Sequence, residues 1–135
     1  MKIYFGGSIR GGRDDKEIYS QIIQMLKKHG EVVTEHVGDA DLSSMGEDKA
    51  AEFIFDRDVA WMKESDTVVM EVTQPSLGVG YELGLAETLG KKVLCLYRPS
   101  AERLLSAMVR GNKAFRVEEY QTAEDLPKIL DSFLG

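Results

Sequence analysis

The 135-residue chain, with 43% hydrophobic and 30% charged residues, has the composition of a soluble globular domain. Its formal net charge of -6 argues against binding to a nucleic-acid backbone, which requires a basic surface, although local arginines and backbone amides can still hold a small anion. The single cysteine, Cys95, excludes an intrachain disulfide, and no stretch has the length of a signal-peptide core or a membrane span, so we expect a cytoplasmic protein, or a nuclear one in a eukaryote.

Short apolar runs alternate with helical patterns along the whole chain. The predicted strands are Lys2 to Phe5, Glu31 to His36, Asp66 to Val72, Lys92 to Tyr97 and Phe115 to Glu119. The predicted helices are Asp14 to His29, Glu47 to Glu64, Val79 to Leu89, Ala101 to Met108 and Ala123 to Leu134. This alternation predicts one α/β domain over residues 1–135, an open five-stranded parallel sheet with helices on both faces, Rossmann-like or flavodoxin-like. With strand order 2-1-3-4-5, a ligand would bind where strands one and three end.

The loop after the first strand carries pairs of glycines interleaved with serine and arginine, from Gly6 to Arg13. Bare backbone amides at the start of a helix favour an anion, and Ser8, Arg10 and Arg13 can donate hydrogen bonds to a phosphate. The spacing matches neither the dinucleotide fingerprint nor a P-loop. The alternative is that these glycines serve only a tight turn.

The loop after the third strand carries Glu82 to the start of the next helix. Pro75, Ser76 and Gly78 indicate a turn before that helix. A carboxylate in the first helical turn is favoured in its ionised form by the helix dipole, so we predict an ionised Glu82. The alternative is a glutamate that favours the helix start and has no chemical role.

Asp58 is predicted to lie on an apolar helix face, four residues after Ile54 and three before Trp61. Partial desolvation would make it a proton donor, whereas the alternative is an aspartate at the margin of that face, paired with a nearby lysine or arginine. One ionised and one desolvated carboxylate are together the equipment of a retaining glycosidase. His29 and His36 share no ligand spacing with cysteine or carboxylate clusters, so no metal is expected.

Several segments together resemble the Rcl-type 2'-deoxynucleoside 5'-monophosphate N-glycosidases, a branch of the nucleoside 2-deoxyribosyltransferase superfamily. They are YFGGSIRGGR at 4–13, TEHV at 34–37, the helix with Asp58, EVTQPSLGVGYELG at 71–84, LCLYRPS at 94–100 and LSAMVRG at 105–111. The resemblance implies a homodimer that works without a cofactor. It would hydrolyse deoxynucleoside monophosphates to a free base and 2-deoxyribose 5-phosphate through a covalent intermediate.

The resemblance also implies roles for individual residues. Glu82 would be the nucleophile, Asp58 would assist the leaving base and Tyr4 would orient the nucleophile. The residues that would hold the substrate and its phosphate are Gly7, Ser8, Ile9, Arg10, Gly11, Gly12, Arg13, His36, Ser76, Gly78, Ser106, Ala107 and Met108. Ser106 would reach the site of the partner subunit. The chain departs from its relatives between residues 39 and 51, which leaves the preferred base open.

Three other functions remain open. A nucleoside 2-deoxyribosyltransferase would pass the sugar to a second base, but the transferases of the superfamily use free nucleosides and have no phosphate to hold. A ribonucleotide (CMP-type) N-glycosidase is the second, and relatives of that kind tend to carry phenylalanine where this chain has Tyr4. The third is a nucleotide-binding module without catalysis. Neither a nucleic-acid polymer nor a membrane is an expected partner.

Overall fold

The computed structural model describes residues 1–8, 16–35, 49–99 and 104–135. The strands are β1 (Lys2–Gly6), β2 (Glu31–Val32), β3 (Thr67–Glu71), β4 (Lys92–Tyr97) and β5 (Phe115–Glu119). The helices are α1 (Lys16–Leu26), α2 (Ala51–Glu64), α3 (Leu77–Thr88), α4 (Ala107–Arg110) and α5 (Leu126–Leu134), with a 3₁₀ turn, Ala123–Asp125, before the last.

The strands form one parallel sheet in the order β2-β1-β3-β4-β5, which confirms the predicted α/β fold and strand order. In the pairing of β1 with β3, Tyr4 lies beside Val68 and Gly6 beside Met70. The order of the strands reverses between β1 and β3. Their carboxyl ends therefore flank the crevice in which open α/β sheets bind ligands.

Helices cover both faces of the sheet, and the alternation of side chains along β1 decides which residue meets which helix. Ile3 and Phe5 pack with buried residues of α1 and α5. Tyr4 points to the other face, where it packs in a cluster with Met62 of α2 and Leu83 of α3. Tyr4 is therefore directed toward the two helices that carry the candidate carboxylates.

β2 is shorter than the predicted strand from Glu31 to His36, because it pairs with β1 over two residues only. The amide of Val33 still donates to the carbonyl of Ile3 at 3.0 Å. The hydroxyl of Thr34 then replaces the ladder, accepting from the amide of Phe5 at 2.8 Å and donating to its carbonyl at 2.5 Å. A side chain thus satisfies backbone groups of β1 that a longer strand would have paired.

Two helices begin later than predicted. α2 starts at Ala51 rather than Glu47, since the residue before Ala51 has an extended backbone. The predicted helix from Ala101 to Met108 is wrong over much of its described part, because residues 104–106 are not helical. α4 starts directly after Ser106, whose hydroxyl caps the helix by accepting a hydrogen bond at 3.2 Å from the amide two residues further on.

Candidate active site

The hydroxyl of Tyr4 joins β1 to α3 through a hydrogen bond to Glu82. Tyr4 is only 1% exposed, and its hydroxyl donates to Oε2 of Glu82. The end of β1 lies near the same carboxylate, since a Cβ atom built on Gly6 would be 3.8 Å from that Oε2. The structure therefore brings Glu82 to the carboxyl end of β1, at the predicted crevice.

Glu82 lies one turn deeper in its helix than predicted. α3 begins at Leu77, because the hydroxyl of Ser76 accepts a hydrogen bond from the amide of Val79 at 3.2 Å and so caps the helix. Glu82 is therefore in the second turn. The helix dipole is weak there, since its effect falls off within the first turn.

Burial raises the pKa of Glu82 to about 7. The loss of water around the carboxylate is the largest cause, the hydrogen bond from Tyr4 opposes it, and the negative charge of Asp58 adds to it. This corrects the prediction that the helix dipole keeps Glu82 ionised, because at pH 7 the side chain is near its midpoint. Burial also raises the pKa of Tyr4, so its hydroxyl stays protonated and can donate.

Asp58 on α2 forms an ion pair with the residue before it, Arg57. The Nε atom and one terminal nitrogen of Arg57 each lie 2.9 Å from Oδ1 of Asp58. This is the paired arrangement that the sequence left open as an alternative. The negative charge of Asp58 also raises the pKa of Tyr4 and of Glu82, so the three groups interact electrostatically. Acidic groups from β1, α2 and α3 thus share one site.

The described start of the predicted phosphate loop is buried. Ser8 is 0% exposed, and its hydroxyl has no hydrogen-bond partner among the residues that the structure describes. Because buried hydroxyls in native proteins normally have a partner, Ser8 has hydrogen-bonding capacity for a bound molecule. Gly7 packs against an aromatic ring of α1. The other predicted residues of this loop and of the base region, Ile9, Arg10, Gly11, Gly12, Arg13 and His36, lie outside the described residues.

The remaining predicted binding residues lie at the starts of two helices. Ser76 caps α3, and Gly78 is exposed in its first turn. Ser106 caps α4, where Ala107 and Met108 are exposed. Within the described ranges, no hydrogen bond joins Ser106 to Tyr4, Asp58 or Glu82 of the same chain.

Sequence reasoning missed a buried polar cluster at the end of β3. Oε1 of Glu71 accepts from the amide of Thr73 at 2.8 Å, and Oε2 accepts from the hydroxyls of Thr73, at 2.7 Å, and of Tyr120. The hydroxyl oxygen of Thr73 also accepts from the amide of Arg98 at 2.9 Å. The cluster fixes the start of the β3–α3 loop against the ends of β4 and β5. The signal for it was a glutamate at the end of an apolar strand.

Two other kinds of chemistry find no support in the described part of the chain. It contains no group of three or more histidine, cysteine, aspartate or glutamate side chains that could hold a metal ion. Burial raises the pKa of the Cys95 thiol to about 12, which disfavours the thiolate that a nucleophilic cysteine needs. Among the helices of these same residues, none has both the length and the apolar character to cross a membrane.

Comparisons with known proteins give close relatives. The sequence model of the nucleoside 2-deoxyribosyltransferase family matches residues 3–126. A protein of Esox lucius named 5-hydroxymethyl-dUMP N-hydrolase is 54% identical over 139 aligned residues, covering 98% of this chain and 95% of the relative. The Mus musculus protein of the same name is 54% identical over 127 residues, covering 90% and 73%. The solved structure of a CMP N-glycosidase of Clostridium botulinum has a TM-score of 0.69 at 20% identity, covering 99% of this chain and 100% of that one, and shows the shared fold.

Proposed function

The chain belongs to the nucleoside 2-deoxyribosyltransferase family, and we propose that it is an N-glycosidase that hydrolyses 2'-deoxynucleoside 5'-monophosphates. The observation that carries the proposal is the hydrogen bond from Tyr4 to Glu82 in a buried site. The charge of Asp58 also raises the pKa of Glu82 there. The names of the close relatives support the substrate class and make 5-hydroxymethyl-dUMP the first substrate to test.

Glu82 acts as the nucleophile in its ionised form. As the bond to the base breaks, C1' of the sugar becomes cationic, and the nearby carboxylate first stabilises this carbon and then bonds to it as an ester. Water then attacks C1', breaks the ester, and releases 2-deoxyribose 5-phosphate. Tyr4 orients the carboxylate through its hydrogen bond and, being neutral, leaves the negative charge of Glu82 available to the sugar.

The pKa of Glu82 sets the pH range of this reaction. A protonated carboxyl group cannot capture C1', so kcat/KM is expected to rise as the pH increases through about 7. The same loss of water that raises the pKa strengthens the attraction between the ionised carboxylate and a developing cation, because the site has a low local dielectric constant.

Asp58 assists the departure of the base. An anionic base is a poor leaving group. A proton from Asp58, given directly by the protonated form or through a water that the ionised carboxylate orients, accelerates its departure by about 10²–10⁴-fold. The effect of the Asp58 charge on the pKa of Tyr4 and of Glu82 supports this role.

The phosphate is bound by the loop after β1 and by the start of α3. The buried hydroxyl of Ser8, the forks of Arg10 and Arg13, and the amides near Ser76 and Gly78 supply donors for it. Binding the phosphate away from the bond that breaks fixes C1' over the nucleophile, which lowers the entropy loss in the transition state.

The active form is a homodimer in which Ser106 completes the site of the partner subunit. In support, the apolar side chains that flank it are strongly exposed, Leu104 to 88% and Met108 to 82%. Large exposed apolar side chains of this kind are typical of surfaces that a partner covers. We expect Ser106→Ala to weaken monophosphate binding, measured by calorimetry, while Ser20→Ala on an exposed part of α1 leaves it unchanged. Full activity from a monomer in light scattering would contradict the shared site.

The nucleophile is tested by Glu82→Gln, with Glu87→Gln, an exposed residue of the same helix, as the matched control. We expect Glu82→Gln to bind the monophosphate but not to release base, while the control keeps its turnover. Rapid quenching of the wild-type reaction followed by mass spectrometry should detect a sugar phosphate attached to the peptide that contains Glu82. Undiminished turnover in Glu82→Gln would exclude it as the nucleophile.

Substrate comparisons separate the alternatives. Incubation with deoxyguanosine and adenine tests for a transferase, which would produce a new nucleoside. Paired ribonucleotide and deoxyribonucleotide monophosphates test for a ribonucleotide hydrolase. Monophosphate binding without turnover of any of these substrates would indicate a binding module.

A further inference from the structure

Arg57 contacts Asp58 and is held by aromatic rings of its own helix. Its guanidinium carbon is 4.7 Å from the centre of the Trp61 ring and 5.6 Å from that of Phe53. These rings are four residues after and four residues before Arg57, so all three side chains lie on one face of α2. Stacking on two rings restricts the planar cation to a narrow range of positions.

This restricted cation contacts Asp58 at short range. Two nitrogens of Arg57 each lie 2.9 Å from the same oxygen, Oδ1 of Asp58. The side chain of Arg57 is 17% exposed, so water and salt screen its charge only in part. The electrostatic effect of this cation reaches Tyr4 on β1. Arg57 lowers the pKa of Tyr4, whereas burial, Glu82 and Asp58 raise it.

We propose that Arg57 is a positioning residue of the active site, which orients the Asp58 carboxylate and supplies the positive charge that lets Asp58 and Glu82 be negative together. Its effect on turnover rests on the proposed function. The charge balance is a property of the folded protein and is measurable without substrate.

The physical reason is the repulsion between two carboxylates in one site, which delays ionisation of the second to higher pH. A fixed cation beside one of them reduces that repulsion. The charged and titratable groups that face the cluster within the described residues are Tyr4 from β1, Asp58 and Arg57 from α2, and Glu82 from α3. Lys49, before α2, lies 5.9 Å from the Phe53 ring at the outer end of the stack.

A titration of Glu82 tests the proposal directly. The carbon-13 NMR signal of its carboxyl group, identified by its loss in Glu82→Gln, gives the pH at which the side chain ionises in the protein without substrate. We expect Arg57→Met to raise this midpoint, because the negative charge of Asp58, which raises the pKa of Glu82, then lacks the cation that partly balances it. Arg57→Lys should restore most of the shift. Lys49→Met, which removes the cation at the outer end of the stack, should leave the midpoint near that of the wild type.

Turnover measurements separate this proposal from the proposed function. If the wild type hydrolyses deoxynucleoside monophosphates, the pH profile of kcat/KM for Arg57→Met should move with the NMR midpoint. A uniform loss of activity with an unmoved midpoint would overturn the proposal and leave Arg57 a structural role only. If the wild type has no hydrolase activity, the proposed function fails and the titration still decides the charge balance. Arg57→Gln provides a second neutral variant if Arg57→Met does not fold.

Discussion

The raised pKa of Glu82 predicts that Glu82→Gln stabilises the folded protein and that the gain grows with pH. The pKa is about 7 in the folded state, against an ordinary value of 4.5. At pH values below the ordinary pKa, Glu82 is protonated in both the folded and the unfolded state, so its protonation favours neither state. As the pH rises toward the folded value, the unfolded chain loses its proton first, so wild-type stability falls. At pH values above the pKa of the folded state, the wild type carries the full free-energy cost of the pKa difference.

The size of the effect follows from the difference between the two pKa values. Subtracting 4.5 from about 7 gives a shift of about 2.5 units, or about 3 kcal/mol at about 1.4 kcal/mol per unit. Glu82 is not fully enclosed, and solvent screening reduces the expected effect to about 2 kcal/mol. Glutamine has almost the same shape, accepts the Tyr4 hydrogen bond, and cannot ionise. It should therefore remove the penalty without leaving a cavity.

Urea unfolding of wild type and Glu82→Gln at about pH 4.5 and about pH 8.5, at one protein concentration, measures this difference. The free energy of unfolding of the variant, relative to the wild type, should increase by about 2 kcal/mol between the two conditions. Comparing the two proteins cancels the titration of the groups that do not interact with Glu82. Glu87→Gln, on an exposed part of α3, should show no such change. A difference that does not change with pH would refute the argument that burial raises the pKa of Glu82.

Three further substitutions test the surroundings of the site. Tyr4→Phe removes the hydrogen bond that lowers the pKa of Glu82. The pH of half-maximal activity should therefore move above about 7, and activity at neutral pH should fall about tenfold. An unshifted pH profile would contradict this reasoning. Tyr120→Phe removes one hydrogen-bond partner of the buried Glu71 carboxylate. Urea titrations should show a free energy of unfolding lower by about 1–3 kcal/mol. A variant as stable as the wild type would disprove a contribution from this hydrogen bond. Gly7→Ala would place a Cβ atom 2.7 Å from a tyrosine ring of α1. This overpacking should lower the free energy of unfolding by about 1–3 kcal/mol. An unchanged Tm would count against the close contact between Gly7 and the ring.

Much of the fold could be predicted because its signals are local. The apolar runs of β4 and β5 are continuous, and both strands have the predicted bounds, Lys92–Tyr97 and Phe115–Glu119. Two of the errors fall where one polar side chain decides where an element begins or ends. The hydroxyl of Thr34 takes over hydrogen bonds of β1 and shortens β2, and Ser106 caps α4 and so delays its start. Ser and Thr have both roles in loops as well, so their type alone does not locate such an end.

The sequence by itself determined the alternation of strands and helices, the parallel sheet, and the candidate residues Asp58 and Glu82, because repeating patterns and motifs lie within short segments. Its resemblance to a known family added Tyr4. Only the tertiary structure decided their electrostatic states. Tyr4 and Glu82 are 78 residues apart in the chain, and Glu71 and Tyr120 are 49 apart. The loss of water around Glu82, and with it a pKa of about 7, depends on how β1, α2 and α3 enclose the carboxylate, and no local pattern records that enclosure.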